Sequence, residues 1–478
     1  MSENAIDHST VQAVPNGSDS TASSGATHLH RKLTSSGVLI LTLSCLSPVF
    51  SICGVGGDVL QHAGTGAAGL FLFGIAASIV WAVVYAELGS AYPYAGADYV
   101  GVGSILGPWA GFATLVAWAV TVGPAVALEG KVIGAYVGEL SPACSPEIVS
   151  IFAVALAVAG ALLAVRAGTL LISLFLLIEM VTVTLLVWGG FSHPARSILS
   201  VLAHPIIFDS QGALGDVPIA ALALGAVSSA YATVGGNQAI GFGEELKQPH
   251  RNMGKVVLLA GIIGAVSIAL PVVAVTVGAT NLQAVLGSPA PFSAFVTEIS
   301  GPAAARILSA SVSLAIFNAL IAQVMFSARL YFSIGRDAIF PPPISRALAS
   351  VHASSGVPRC ATVVVGIFSV GCCLMKTHVL IVFLQGLVAY SLALVSLAVW
   401  VGRRKGLTGE SGCWRSPLFP LGPLAGLGLA AAFCISDLLD PVAGRPGILV
   451  LGTMICCAIA WCRLVLERRP GGWSPRLE

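Results

Sequence analysis

Between residues 36 and 466 the sequence falls into apolar runs of bilayer-crossing length, separated by short stretches that collect charges, prolines and glycines. A helix of about 20 predominantly apolar residues spans the hydrocarbon core. By that measure helices are predicted at 36–61, 66–90, 108–138, 147–165, 169–192, 218–243, 254–279, 302–333, 358–375, 379–401, 420–438 and 446–466. Composition agrees, with 56% hydrophobic and 9% charged residues, where soluble domains carry roughly 25% charged residues. A membrane barrel would need alternating segments of about ten residues, and runs such as 151–165 have no two-residue period. The fold class read here is an all-α integral membrane protein of about twelve transmembrane helices.

The few charges orient the spans, because cytoplasmic loops carry an excess of Lys and Arg. With the N-terminus inside, Lys131, Arg196, Arg306, Lys376 and Arg445 fall on the outer side or at outer helix ends, and the other basic residues fall inside. The formal net charge of +2 is too balanced for a nucleic-acid binder. The first 30 residues are polar and hold no apolar signal-peptide core, and residues 1–35 read as a disordered tail. The 11 cysteines show no CxxC and several lie in or beside apolar runs, so they read as small buried hydrophobes. No HxxxH or HExxH occurs, and no metal site is expected.

Two predicted helices are weak at their centres. The first contains Ser47-Pro48-Val49-Phe50-Ser51, followed by Gly54, Gly56 and Gly57. The sixth contains Ser228, Ser229, then Gly235-Gly236-Asn237-Gln238 and Gly241. Proline removes an intrahelical hydrogen bond and glycine relaxes the backbone. Glycine and proline also make ordinary kinks in membrane helices. Two breaks five helices apart, however, match a five-helix unit repeated with inverted topology, whose exposed backbone groups form a ligand site near the midplane.

Several stretches resemble the amino acid, polyamine and organocation permease superfamily, whose members have the LeuT-like fold. They are Tyr85-Ala86-Glu87-Leu88-Gly89-Ser90 with Tyr92-Pro93, Ala95-Gly96 and Asp98-Tyr99; Leu106-Gly107-Pro108-Trp109-Ala110-Gly111-Phe112; and Gly243-Glu244-Glu245-Leu246-Lys247-Gln248-Pro249-His250-Arg251-Asn252. Ser327-Ala328-Arg329-Leu330-Tyr331, Gly335-Arg336-Asp337, Gly356-Val357-Pro358, Gly386-Leu387-Val388-Ala389-Tyr390 and Trp414-Arg415-Ser416-Pro417 continue the ordered match. The chain departs from the family in lacking a Gly-Ser-Gly-type centre in the first helix, where Val49 to Ile52 stand, and in placing Asn237 where an acidic residue often appears.

The resemblance implies a 5+5 inverted repeat, 36–192 and 218–401, two further helices in 420–466, and a cytoplasmic tail at 467–478. It also implies a small-molecule substrate, an amino acid, held between the first and sixth helices by Ser47, Pro48, Val49, Phe50, Ser51, Ser228, Tyr231, Ala232, Thr233 and Gly235. Amides near Ser47 to Ser51 would face a carboxylate, carbonyls around Ala230 to Val234 would accept from an ammonium, and Phe50 and Tyr231 would close over the ligand. The serine and threonine side chains can equally bond back to their own helices.

Ionisable groups inside apolar spans are costly and mark function by default. Glu179, near the centre of the fifth helix, is a candidate proton carrier or a carboxyl bonded to a neighbouring helix. Glu87 reads as half of a structural pair with a loop arginine. Glu129 and Lys131, two apart, do not share a helix face, and Asp58 is one available partner. Arg336 and Asp337 are candidates for an inner gate, and the neighbouring Glu244, Glu245, Lys247, Arg251 and Arg329 for a solvated rim. Ser311, Ser313 and Asn318 offer small polar groups that could help hold a sodium ion.

The function that follows is secondary transport of amino acids or related amines by alternating access, with no enzymatic activity, no cofactor, and H+ or Na+ as the coupling ion or exchange in its place. Another small organic solute or cation on the same fold is the alternative. A channel would want a continuous polar stripe, and a membrane-embedded enzyme would want a nucleophile or His/Asp cluster at one face. The expected setting is a cell membrane crossed many times, with both termini cytoplasmic. Nothing in the pattern bears on oligomeric state.

Overall fold

The computed structural model describes residues 33–474 except 97, 142, 164–167, 209–211, 289, 353–354, 418, 440, 442–443 and 470–471. The N-terminal tail lies almost entirely outside the described residues, as does part of the C-terminal one. The first predicted helix forms in pieces: α1 (Ser35–Leu46), α2 (Pro48–Phe50), a π-helical turn (Ser51–Gly56) and α3 (Gly57–Ala63). Thr34 caps α1 by accepting the N–H of Gly37 at 3.2 Å. Gly64, at φ 54, then turns the chain into α4 (Ala67–Ala91).

The remaining helices follow in chain order: α5 (Asp98–Leu106), α6 (Pro108–Leu140), α7 (Pro146–Leu163), α8 (Gly168–Ser192) and α9 (Ile198–Ala203). After a hairpin come α10 (Ile219–Thr233), a 3-10 segment (Gly236–Glu245), α11 (Pro249–Gly278), α12 (Leu282–Leu286) and α13 (Pro291–Arg336). The chain continues with α14 (Pro342–Leu348), α15 (Arg359–Cys373), α16 (Thr377–Lys405), α17 (Leu421–Leu439), α18 (Gly444–Trp461) and a π-helical turn (Cys462–Leu466). Gly301, at φ 83 and followed by Pro302, kinks α13 where the eighth helix was expected to begin. One feature departs from an all-helical reading: β1 (Ile206–Phe208) pairs antiparallel with β2 (Leu214–Asp216), Ile207 opposite Gly215. A β-branched and aromatic triplet after Pro205 suits a strand, and it is too short to carry the helical apolar period.

Among the described residues nine helical stretches are long and apolar enough to cross a membrane, and α7 and α15 are shorter apolar helices. The outer surface carries large apolar side chains, including Trp188 at 73% exposure, Phe152 at 66% and Ile367 at 71%. Such a surface matches lipid and not water. Inside, small residues let helices approach closely. A Cβ on Gly190 would lie 2.2 Å from the Ala274 carbonyl oxygen of α11, and one on Gly261 would lie 2.8 Å from Ala82 of α4. The protein is thus a multi-pass helical membrane protein whose core is bundle interior.

The chain enters the bundle beside the sixth-helix region. Leu33 forms a parallel bridge with Leu246, its N–H donating to the Glu245 carbonyl at 2.9 Å and its own carbonyl accepting from Lys247 at 3.0 Å.

Candidate functional site

The first break sits where the sequence put it. Ser47 adopts a left-handed conformation (φ 43, ψ 83) between α1 and α2, and Pro48 restarts the helix at its first position, where a missing N–H costs nothing. Glu179 of α8 reaches this break: its Oε1 accepts from the Val49 N–H at 2.8 Å and from the Ser47 hydroxyl at 3.1 Å. Ser47 Oγ in turn accepts from the Phe50 N–H at 3.3 Å, and Ser51 Oγ donates to the Leu46 carbonyl at 3.4 Å.

The sixth break follows α10. Val234 is extended, Gly235 has φ 157, and the chain resumes as the 3-10 segment. Glycine is required here for two reasons: its φ favours no side chain, and a Cβ would lie 2.9 Å from Leu46 Cδ1. Leu46 ends α1, so the two breaks touch. Thr233 is turned away from the break into α4, its Oγ1 2.9 Å from the Gly74 carbonyl, while Ser78 of α4 donates to the Thr233 carbonyl at 3.0 Å. Ser228 accepts from Gln385 of α16 at 2.7 Å.

A cavity of about 100 Å³ opens beside the sixth break. Tyr231, Val234, Gly235, Asn237 and Gln238 line it from the break, Thr121, Val122 and Ala125 from α6, Gln323 and Phe326 from α13, Leu384, Leu387 and Val388 from α16, with Trp81 and Trp118. Trp81 donates to Asn237 Oδ1 at 3.1 Å, and Gln238 to Gln323 Oε1 at 3.4 Å. Of the residues singled out from the sequence, Tyr231 and Gly235 line this cavity. Ser47 and Val49 bond Glu179 instead, Pro48, Phe50 and Ser51 are buried beside them, and Ala232 is buried. Trp81, Trp118, Gln323 and Leu387 escaped the sequence reading as site residues. Gln323 carried a usable signal, an amide inside an apolar span, whereas tryptophan and leucine are ordinary membrane-helix residues.

Several buried or half-buried ion pairs join the helices to one another. Arg329 Nη2 lies 2.7 Å from Glu245 Oε1 with its guanidinium over the Phe242 ring, and Arg336 Nη1 lies 3.0 Å from Glu244 Oε1. Asp337 accepts from the Tyr99 hydroxyl at 2.8 Å, and its carbonyl accepts from Trp473 at 3.2 Å. Glu87 pairs with Arg403 and also accepts from Thr408 Oγ1 and the Ser416 N–H, each at 3.0 Å. Asp98, in the connection between α4 and α6, is buried beside the Tyr85 hydroxyl and the Trp118 indole. Burial pushes its carboxyl up to about 7, those two donors working in the other direction.

Elsewhere, Asp58 pairs with His62 at 3.4 Å, and Ser313 bonds back to the Ser309 carbonyl at 2.9 Å. Among the described residues no group of three or more His, Cys, Asp or Glu side chains is placed to hold a metal ion.

A bundle of apolar helices with two touching backbone breaks beside a cavity defines a multi-pass membrane permease. The sequence pattern of the amino acid permease family matches residues 35–436, and this chain belongs to that family. It is also 22% identical over 433 residues, 84% of this chain and 88% of the relative, to the branched-chain amino acid permease BcaP of Lactococcus lactis subsp. cremoris.

Proposed function

We propose that this chain is a secondary active transporter of amino acids with small apolar side chains, working by alternating access. The cavity at the sixth break carries the reading. Asn237, Gln238 and Gln323 gather at a polar end, and Val122, Ala125, Leu384, Leu387 and Val388 supply an apolar remainder. An amino acid such as leucine divides in the same way, and the branched-chain specificity in the relative's name agrees with it.

The topology we propose is two inverted five-helix units, 36–192 and 218–401, with two further helices in 420–466. The breaks after Leu46 and Thr233 support it, as does the turn at Gly64, which divides the apolar stretch Ser35–Ala91 into two crossings. The Lys and Arg bias supports a cytoplasmic side for both termini. Arg336 and Asp337, with Glu244 and Tyr99, then form the closed cytoplasmic gate, and Glu179 is the ionisable group at the moving joint. The driving force is an H+ or Na+ gradient or exchange.

Uptake of labelled leucine, valine and alanine into proteoliposomes tests this, with an imposed proton gradient, an imposed sodium gradient, or unlabelled amino acid inside. Leucine and valine flux is expected under at least one condition. No flux of any amino acid under all three would sink the reading.

A further inference from the structure

α13 ends at Arg336 after an apolar run long enough to cross the membrane, which brings the turn that follows it to the depth of lipid headgroups. That turn and α14 wall a cavity of about 540 Å³, larger than the one at the sixth break. The wall is tightly packed: a Cβ on Gly335 would lie 2.6 Å from the backbone nitrogen of Ala349. Arg336, Arg346 and Arg469 all line the cavity, and no acidic side chain is among its described lining residues.

Each arginine is held in place without being fully used. Arg346 donates from Nε to the Pro342 carbonyl of its own helix at 3.2 Å. Arg469 follows the π-helical turn at Cys462–Leu466 and donates to the carbonyls of Ala338 and Ile339 at 3.0 and 3.4 Å. The segment that carries it is docked, since Trp473 donates to the Asp337 carbonyl at 3.2 Å and meets Phe112 edge-on, ring centres 5.5 Å apart. Carbonyls accept hydrogen bonds without cancelling a charge, and among the described residues neither Arg346 nor Arg469 has a carboxylate partner. Arg336 is paired with Glu244, yet its Nε is buried and has no acceptor among the described residues.

Two guanidinium groups without a counter-charge and a third with a spare donor call for an anion that presents several oxygens. Phosphate suits them, because arginine binds its oxygens through paired N–H groups and basic pockets beside membrane helices hold lipid headgroups. An apolar rim adjoins the charges: Phe340, which also lines the cavity, is 43% exposed and Ile344 of α14 is 50% exposed.

We infer that this cavity binds a phosphate-bearing anion, the headgroup of an acidic phospholipid or free phosphate, through Arg346 and Arg469 with Arg336 beside them. The site is separate from the cargo cavity, and it does not depend on what the chain transports.

Calorimetric titration of the purified full chain in an uncharged detergent, with inorganic phosphate in one arm and dihexanoylphosphatidate in the other, tests this. Saturable binding is expected in at least one arm. Binding of phosphatidate alone, or at least about tenfold tighter than phosphate, assigns the site to a lipid headgroup, and phosphate binding of equal or higher affinity assigns it to the free anion. No saturable binding in either arm overturns the inference. Arg346→Gln and Arg469→Gln should each weaken the binding at least about tenfold, and Arg346→Lys, which keeps the charge, should weaken it less. Arg404→Gln removes the same charge from α16, outside the cavity lining, and should leave the affinity unchanged. An equal loss in Arg404→Gln, or an unchanged affinity in Arg346→Gln, overturns the inference. Arg469→Gln also removes two bonds to the turn, so the exposed Arg346 is the decisive position if that variant does not fold.

Discussion

Arg336 and Glu244 meet at 3.0 Å, with side chains only 10% and 16% exposed, and the same Glu244 oxygen takes the N–H of Ala95 at 2.9 Å. One carboxylate thus ties the end of α13 to the segment after the sixth break and to the connection between α4 and α5. Glu244→Gln weakens the charged link and keeps an acceptor for Ala95. It should raise labelling of a cysteine introduced at Ala125, in the cavity wall, by several-fold when reagent is applied from the side of this ion pair. The parent chain supplies the background from its own cysteines, and unchanged labelling would assign the pair to a static rim.

Glu87 and Arg403 are a different case, because Glu87 is fully buried. Removing only the arginine leaves a carboxylate with Thr408 and Ser416 as its remaining donors. Arg403→Leu should cost about 3–5 kcal/mol, seen as a large fall in the unfolding temperature in detergent. Glu87→Gln combined with Arg403→Leu should be milder than Arg403→Leu alone; strict additivity would show that the two are not coupled.

Gly235→Ala places a Cβ 2.9 Å from Leu46 Cδ1 at a φ of 157. Leucine uptake should fall at least about tenfold, because a small displacement at a binding site is felt strongly. Adding Leu46→Ala should restore part of it, the remaining deficit reporting backbone strain. No recovery at all would mean that the contact between the two breaks is irrelevant.

Ala125 lines the cavity from α6. Ala125→Val should lower leucine uptake relative to alanine uptake by about tenfold or more, since one methylene in a tight pocket is worth roughly 1–3 kcal/mol. Equal effects on both amino acids in a competition assay would place the cargo side chain elsewhere.

Asp98 makes stability pH-dependent. Burial sets its carboxyl at about 7, above the ordinary carboxylate range, so the folded chain holds this proton more tightly than the unfolded chain. Its contribution is complete in acid and is lost as pH rises towards 7. Unfolding temperatures measured between pH 5 and pH 8 should show Asp98→Asn with a flatter decline than wild type; parallel curves would contradict the assignment.

Where the helices run, and where the first and sixth break, was legible because Pro48, Gly235 and Gly236 act through their own backbones, whatever surrounds them. The kink at Gly301-Pro302 falls where the eighth helix was expected to begin, inside what proves to be one longer helical stretch. The cavity was not legible: it is assembled from α6, α13 and α16 by packing, and Val122 or Leu387 looks like any other lipid-compatible residue. Glu179 could be singled out as a costly charge, but its contact with Val49 joins residues 130 apart, a tertiary fact without local trace. The pairs Arg329–Glu245 and Arg336–Glu244 lay among many charges of one loop set, and only the geometry selects these partners.

The bridge between Leu33 and Leu246 fastens the very start of the described chain to the strand-like link between the sixth-helix 3-10 segment and α11. Its two hydrogen bonds run to Glu245 and Lys247, neighbours of the residue that faces Arg336. A displacement of Leu33 is therefore passed through two backbone hydrogen bonds to residues 245 and 247, on the same stretch of chain as the Glu244 that holds Arg336.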